Sequence, residues 1–339
     1  MDLSPDAVGR AVAEVLGGEM DGVVADGAVV ARVERLDRGF SWVTLMVAFE
    51  SADDDGTTEV IVRVAPRGGP LDPYDPTVEA ANLRRVDGVV PAPRVLAVQP
   101  ESANPIGRPF GVHTRVPGRV LRLDEVAEQP AQDAEGPDEE GNPAPKEGIA
   151  TGTRPRYVAA AARALGRLHE LTAPVTVAEA YDAELDRTEA AYRRAAPDRH
   201  REFEAALSWL RAHRPDVKEP AVWCHGDFRF ANLSWDGPGR LGGVLDWERA
   251  WAGDPMCDVA FTRRFSGWCA VEDDDADYGR PLDEERLAYA ARFERVRSFT
   301  ASMRALRAWL DGRSDDPRLL TIGRRGEQAM RTELDWARR

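Results

Sequence analysis

The pattern of hydrophobic positions across residues 29–64 predicts β-structure. The runs "AVVARVERL", "FSWVTLMVAFE" and "TEVIVRVAP" are rich in Val, Thr and aromatic residues, side chains that suit a pleated, half-buried surface. The stretches "DRG" and "SADDDG" between them read as turns. The segment "PTVEAANLRRV" then predicts a short helix, with Pro76 near its start and Gly88 just past its end. "PAPRVLAV" and "PFGVHTRVPG" predict two more strands. Strands, one helix, then strands describe a small sheet-plus-helix lobe over residues 1–115.

Residues 121–156 break the pattern. Between Asp133 and Glu147 six acidic residues face one Lys, with Gly or Pro at 136, 137, 141, 143, 145 and 148. Such a segment cannot bury enough apolar surface to offset its ordering entropy, so it is expected to be a flexible acidic insertion. Beyond it the chain reads as mainly helical. "YVAAAARALGRLHEL" places Val158, Ala161, Leu165 and Leu168 on one stripe. "DRHREFEAALSWLRAH" repeats the pattern with Phe203, Leu207 and Leu210, and Val296, Phe299, Met303, Leu306 and Leu310 form a third stripe. The expected plan is α+β: a small β-rich lobe, 1–115, and a larger, mainly helical lobe, 116–339.

Composition narrows the function. The formal net charge is −14, which argues against nucleic acid as partner, since phosphate backbones are held by clustered Lys and Arg. The N-terminus lacks a basic region followed by an apolar one, so no secretory signal is expected. No apolar run approaches the ~18 residues that a membrane span needs. Cys224, Cys257 and Cys269 lie in hydrophobic settings and are odd in number. They read as buried free thiols in a reducing, cytoplasmic compartment.

The candidate chemistry lies in "WCHGDFRFANLSWD", residues 223–236, where His225, Asp227 and Asn232 sit among aromatic and apolar side chains. Buried polar groups are costly unless paired or put to use. "LGGVLDW", residues 241–247, reads as a short buried strand ending in Asp246. A hairpin would then gather Asp227, Asn232 and Asp246. Oxygen ligands facing one spot suit Mg²⁺, which binds through one or two carboxylates plus substrate phosphates. Phosphoryl transfer needs that metal, and a carboxylate that takes the proton of the attacking hydroxyl.

"HGDFRFAN" followed by "VLDWE" resembles the catalytic loop and metal-binding strand of the aminoglycoside phosphotransferase-like family of small-molecule kinases. "GDPMCDVAF", residues 253–261, resembles that family's continuation. The resemblance implies a two-lobed protein-kinase-like fold, Asp227 as catalytic base, Asn232 and Asp246 as magnesium ligands, and His225 as a residue that shapes the loop. Asp258 would accept hydrogen bonds from the catalytic loop, while Gly-Asp-Pro around Asp254 readily makes a turn.

The N-terminal lobe departs from the pattern. Arg63 in "VIVRVAP" stands where protein kinases usually have Lys, with Glu79 on the following helix as its partner. Arginine also grips phosphate, often bidentately, but it is not a neutral swap for lysine. The loop over the phosphates has a single glycine, Gly39. Ser41 is a phosphate contact or part of a plain turn. The backbone around His113, Thr114 and Arg115 aligns in order with the inter-lobe connector and would meet the adenine.

The resemblance implies a nucleotide, ATP or GTP in its place, and a small-molecule hydroxyl acceptor. Aminoglycosides, sugars, choline-like alcohols and hydroxyacyl compounds are all open. The acidic run Glu272, Asp273, Asp274, Asp275 and Asp277 suits a polycation, although charge runs are commonly just solvated. Phe265, Trp268 and Tyr278 could equally wall an apolar acceptor. A catalytically silent, nucleotide-binding regulatory relative is the other reading, against which the intact Asp227, Asn232 and Asp246 argue. Oligomeric state is open.

Overall fold

The computed structural model describes residues 3–17, 29–36, 41–50, 57–122, 154–265, 271 and 276–338. These fall into two compact units. The first comprises residues up to Asp87, Pro93–Arg115 and a C-terminal stretch, Ala308–Leu320. The second holds Gly88–Ala92, Val116–Arg307 and the residues from Thr321 onward.

The first unit is built on an antiparallel sheet of order β1-β2-β3-β5-β4. The strands are β1 (Val29–Leu36), β2 (Val43–Glu50), β3 (Thr57–Val64), β4 (Val95–Gln99) and β5 (Phe110–Thr114). Strand side chains alternate between faces, so the register decides what each face carries. Leu45 opposes Val62, Val47 opposes Val60, and Phe110 opposes Val64. These residues form one apolar face, packed against Val8, Ala11, Val12 and Leu16 of helix α1 (Pro5–Gly17). Arg63 opposes Gly111 and Ile61 opposes His113, which puts Arg63 and His113 on the other face. Helix α2 (Pro76–Val86) meets that face through Glu79. Its start is set by Asp75, whose carboxylate accepts from Thr77 N–H at 2.9 Å, and by Pro76 in the first turn. Arg313 of the C-terminal stretch ties to Asp72 at 3.1 Å.

The described residues of the second unit form two three-stranded sheets and six helices. One sheet orders β10 (Leu241–Val244), β9 (Leu233–Trp235) and β6 (Arg119–Val120). The other orders β11 (Trp251–Gly253), β8 (Pro220–Cys224) and β7 (Thr172–Thr176). The helices are α3 (Arg154–Leu168), α4 (Val177–Ala195), α5 (Arg201–Ala212), α6 (Pro255–Phe265), α7 (Glu284–Leu310) and α8 (Pro317–Glu333). α4 begins in a capping box between Thr176 and Glu179. Among the described residues no helix is long and apolar enough to cross a membrane.

The predicted strands of the first unit and helix α2 are present within a few residues of their expected limits. Helix α1 is an additional element, outside the expected ones. Leu310 is 47% exposed, against its expected place in a buried stripe, because it is the final residue of α7 and outlasts the surface that covers Phe299, Met303 and Leu306. Most of the acidic insertion, residues 123–153, lies outside the described residues, as do Gly39, Trp268 and Cys269.

Candidate active site

Strand β8 delivers the chain into the loop His225-Gly226-Asp227 and stops there for a reason of geometry. Gly226 has φ +75°, and a Cβ at that position would stand 2.5 Å from the Arg249 carbonyl oxygen. Only glycine makes this turn without strain. Cys224 pairs with Trp251 of β11 just before it, so the loop leaves from a hydrogen-bonded edge.

His225 is fully buried and bonded at both ring nitrogens. Its Nδ1 accepts from the Asp227 amide at 3.2 Å, so Nε2 carries the proton and donates to the Leu245 carbonyl at 2.9 Å. One imidazole thereby links the catalytic loop to the strand that follows it. The ring edges against Phe228 and Trp247.

Asp227 is 8% exposed, with Asn232 beside it. Asn232 Nδ2 donates to the Asp227 carbonyl at 2.9 Å and to its Oδ2 at 3.0 Å. Arg229 Nε stands 3.4 Å from the other carboxylate oxygen. Asn232 ends a short 3₁₀ turn, Phe230–Asn232, and its carbonyl accepts from Leu245 N–H at 2.8 Å. The β9–β10 hairpin therefore returns the chain to Asn232 and places Asp246 one residue beyond that bond. The strand itself ends at Val244, two residues earlier than the expected end at Asp246. Asp246 instead adopts a left-handed conformation, φ 67° and ψ 63°, and is partly exposed. A non-glycine residue held there is a strained position of the kind that collects at functional sites.

Asp258, on α6, anchors the loop from behind. Its carboxylate accepts from His225 N–H at 2.7 Å, from Gly226 N–H at 2.8 Å and from His169 Nε2 at 3.0 Å. Burial alone would push this carboxyl up, but the hydrogen bonds from His169 and from the Gly226 amide outweigh it and hold it below its ordinary value. The hydrogen bonds from the loop to Asp258 agree with what the resemblance implies. Asp254 makes the expected turn, accepting from Met256 N–H at 2.9 Å, and takes a two-pronged bond from Arg286 at 3.0 Å.

His169, Cys224 and Asp258 bring ligand-type atoms within 4.8 Å of one another. Those atoms are committed elsewhere. Cys224 Sγ donates to the Asp254 carbonyl at 3.3 Å, and burial pushes its thiol well up. Such a thiol suits an inert core cysteine rather than a metal ligand.

In the first unit Arg63 pairs with Glu79, both largely buried, and its guanidinium lies over the Trp42 ring. Ser41 is half-buried just ahead of β2. Arg115 pairs with Glu59 at the surface. His113 is buried, and its Nε2 has no hydrogen-bond partner among the described residues. Burial and then the charge of Arg63 push its pKa down to about 3, so the ring is neutral.

Glu272 to Asp275 lie outside the described residues, while Asp277 pairs with Arg163 at 2.6 Å. Tyr278, expected among residues that could wall an acceptor, is buried and turns its hydroxyl to His169. Sequence reasoning passed over His169 and Arg229. His169 extends the α3 stripe four residues past Leu165, a signal that marks it as inward-facing.

Comparison with known families places the chain in one of them. Residues 46–139 and 141–309 match the model of the phosphotransferase enzyme family, APH; the chain belongs to that family. Among solved structures, a candidate aminoglycoside phosphotransferase from Ralstonia eutropha superposes with TM-score 0.63 at 17% identity, covering 98% of each chain. A macrolide 2′-phosphotransferase type I follows with TM-score 0.58 at 15% identity, covering 94% of this chain and 95% of its own. A thermostable aminoglycoside phosphotransferase APH(4)-Ia, in complex with ADP and hygromycin B, gives TM-score 0.55 at 17% identity, covering 96% and 98%. A 70-residue stretch is 34% identical to a protein of Arabidopsis thaliana named for acyl-CoA dehydrogenase activity. That match takes in 20% of this chain and only 8% of the plant protein.

Proposed function

We propose that this protein transfers the γ-phosphoryl group of ATP to a hydroxyl of a small molecule, with Asp227 as catalytic base. The observation that carries this reading is the held carboxylate. Asn232 fixes one oxygen of Asp227, and the two amides just before it are bound to Asp258. A carboxylate positioned in this way orients an attacking hydroxyl and accepts its proton. The acceptor oxygen forms the new bond to the γ-phosphorus, the bond to the β,γ-bridging oxygen breaks, and ADP leaves with that electron pair. The proton passes to Asp227.

Asn232 and Asp246 would hold Mg²⁺. Asn232 commits its Nδ2 to Asp227, which leaves the amide oxygen as its ligand-type atom, and Asp246 adds a carboxylate. This all-oxygen donor set fits a hard cation. When bound, the ion supplies neutralisation of phosphate charge. His225 shapes the loop through its two ring bonds. Arg63, oriented by Glu79, would grip the α- and β-phosphates, with Ser41 and the backbone at His113 and Arg115 as further nucleotide contacts. Arginine keeps the charge and adds a planar fork.

For the acceptor, the hygromycin B complex and the macrolide enzyme among the neighbours favour a hydroxylated antibiotic. The shared stretch with a protein named for acyl-CoA chemistry favours a hydroxyacyl compound as the second reading. The test is nucleotide turnover with Mg²⁺ and ATP or GTP across a panel of aminoglycosides, macrolides, hydroxyacyl-CoA esters, sugars and choline. Stimulated release of the nucleoside diphosphate by one acceptor class is expected. No turnover with any acceptor, and none without one, would overturn the reading in favour of a silent nucleotide-binding relative.

A further inference from the structure

Behind the catalytic loop stand two buried side chains that no step of the proposed reaction uses. His169 follows the last residue of α3 and is fully buried. Its Nδ1 is 2.7 Å from the Tyr278 hydroxyl and its Nε2 is 3.0 Å from Asp258 Oδ2. An ionised carboxylate can only accept, so Nε2 carries the proton and donates to Asp258. Nδ1 then offers a lone pair. The Tyr278 hydroxyl, pushed well up by burial, stays protonated and donates to it. One arrangement of the ring protons thus satisfies both contacts of His169, to Tyr278 and to Asp258.

Asp258 also accepts from two consecutive amides, His225 N–H at 2.7 Å and Gly226 N–H at 2.8 Å. The next residue is Asp227. We propose that His169 is a positioning residue for phosphoryl transfer: through Asp258 it fixes the backbone that aims the Asp227 carboxylate. Tyr278 holds it in the tautomer that can do so. The proposal rests on the reading of Asp227 as the base. Its physical basis is that a fully buried carboxylate stays ionised and fixed only while its acceptors are filled. Without the Nε2 donor, Asp258 is free to rotate or to take up a proton, and either change loosens one of the two amides.

Two readouts test this. One is kcat and nucleotide KM for Mg²⁺-ATP turnover. The other is hydrogen exchange at the His225 and Gly226 amides, compared with amides of α5. His169→Leu should lower kcat at least tenfold, leave nucleotide KM within twofold, and speed exchange selectively at the two loop amides. His169→Gln, which can return an N–H to Asp258, should recover most of both. Tyr278→Phe keeps the Nε2 donor and should show a smaller loss of kcat. His200→Gln, at a separate buried pair with Tyr192, should leave kcat unchanged.

Equal losses in His169→Leu and His169→Gln would overturn the proposal, as would unchanged kcat and exchange in a folded His169→Leu. If His169→Leu does not fold, Tyr278→Phe decides: wild-type values in both readouts overturn the proposal. Amide exchange needs no turnover. An inactive wild-type protein would therefore sink the kinase reading, while exchange would still show whether His169 holds the loop.

Discussion

In the second unit Asp258 takes hydrogen bonds from two consecutive loop amides and an imidazole, and His225 is bonded at both ring nitrogens. In the first unit Arg63 and His113 share one face of a sheet, where Arg63 meets Glu79 and His113 Nε2 is buried without a hydrogen-bond partner among the described residues. Under the proposed function, the contrast follows from what each region would do. Aiming a proton acceptor at a hydroxyl tolerates little displacement, so its backbone is bonded from several sides. Gripping a phosphate requires a positive charge that a neighbour orients, and Arg63 in place of lysine still provides one. Burial keeps His113 neutral beside Arg63, which spares that face a second positive charge.

The sharpest way to break the comparison is to remove the second unit's oxygen ligands. Asp246→Ala should abolish Mg²⁺-dependent nucleotide affinity, and Asn232→Ala should weaken it less, because a carboxylate brings formal charge where an amide brings a dipole. Titrating Mg²⁺ against a nucleotide analogue checks this, and wild-type affinity in Asp246→Ala would move the metal site elsewhere. Next in size is Gly226→Ala. Its Cβ would stand 2.5 Å from the Arg249 carbonyl at φ +75°, so a loss on the order of 2–3 kcal/mol is expected in a denaturant melt.

First-unit substitutions should act on nucleotide binding instead. Arg63→Ala should raise nucleotide KM, with kcat changing less, and Arg63→Lys should recover part of the loss. A fall in kcat at unchanged KM would erase the distinction between the units. A further expectation concerns pH. The His113 pKa falls from 6.5 unfolded to about 3 folded, so between those values the unfolded chain holds the extra proton. Stability from this group is fully present above pH 6.5 and is lost as pH falls towards 3, at up to ~1.4 kcal/mol per pH unit. His113→Leu should flatten that part of the stability profile, as followed by thermal melts from pH 7 to pH 4.

Much of the site was legible because it is local. His225, Asp227 and Asn232 lie within eight residues, and one hairpin returns Asp246 to them. The end of β10 was misread because apolar Leu245 and Trp247 carry the pattern through Asp246, although Trp247 is buried in a 3₁₀ turn and not in a strand. His169 reaches Asp258 and Tyr278 across separations of 89 and 109 residues, and no local pattern announces such pairs. Helix α1 is legible as well, since Val8, Ala11, Val12 and Leu16 repeat at helical spacing.

The central claim is that Asp227 takes the proton of an acceptor hydroxyl during phosphoryl transfer. The most direct measurement follows γ-labelled phosphate from ATP onto the acceptor identified by the panel, in the wild type and in Asp227→Asn side by side. The account predicts label on the acceptor hydroxyl in the wild type. In Asp227→Asn the transfer rate should fall by about 10²-fold or more with nucleotide affinity nearly unchanged. Near-wild-type transfer by a folded Asp227→Asn would contradict it.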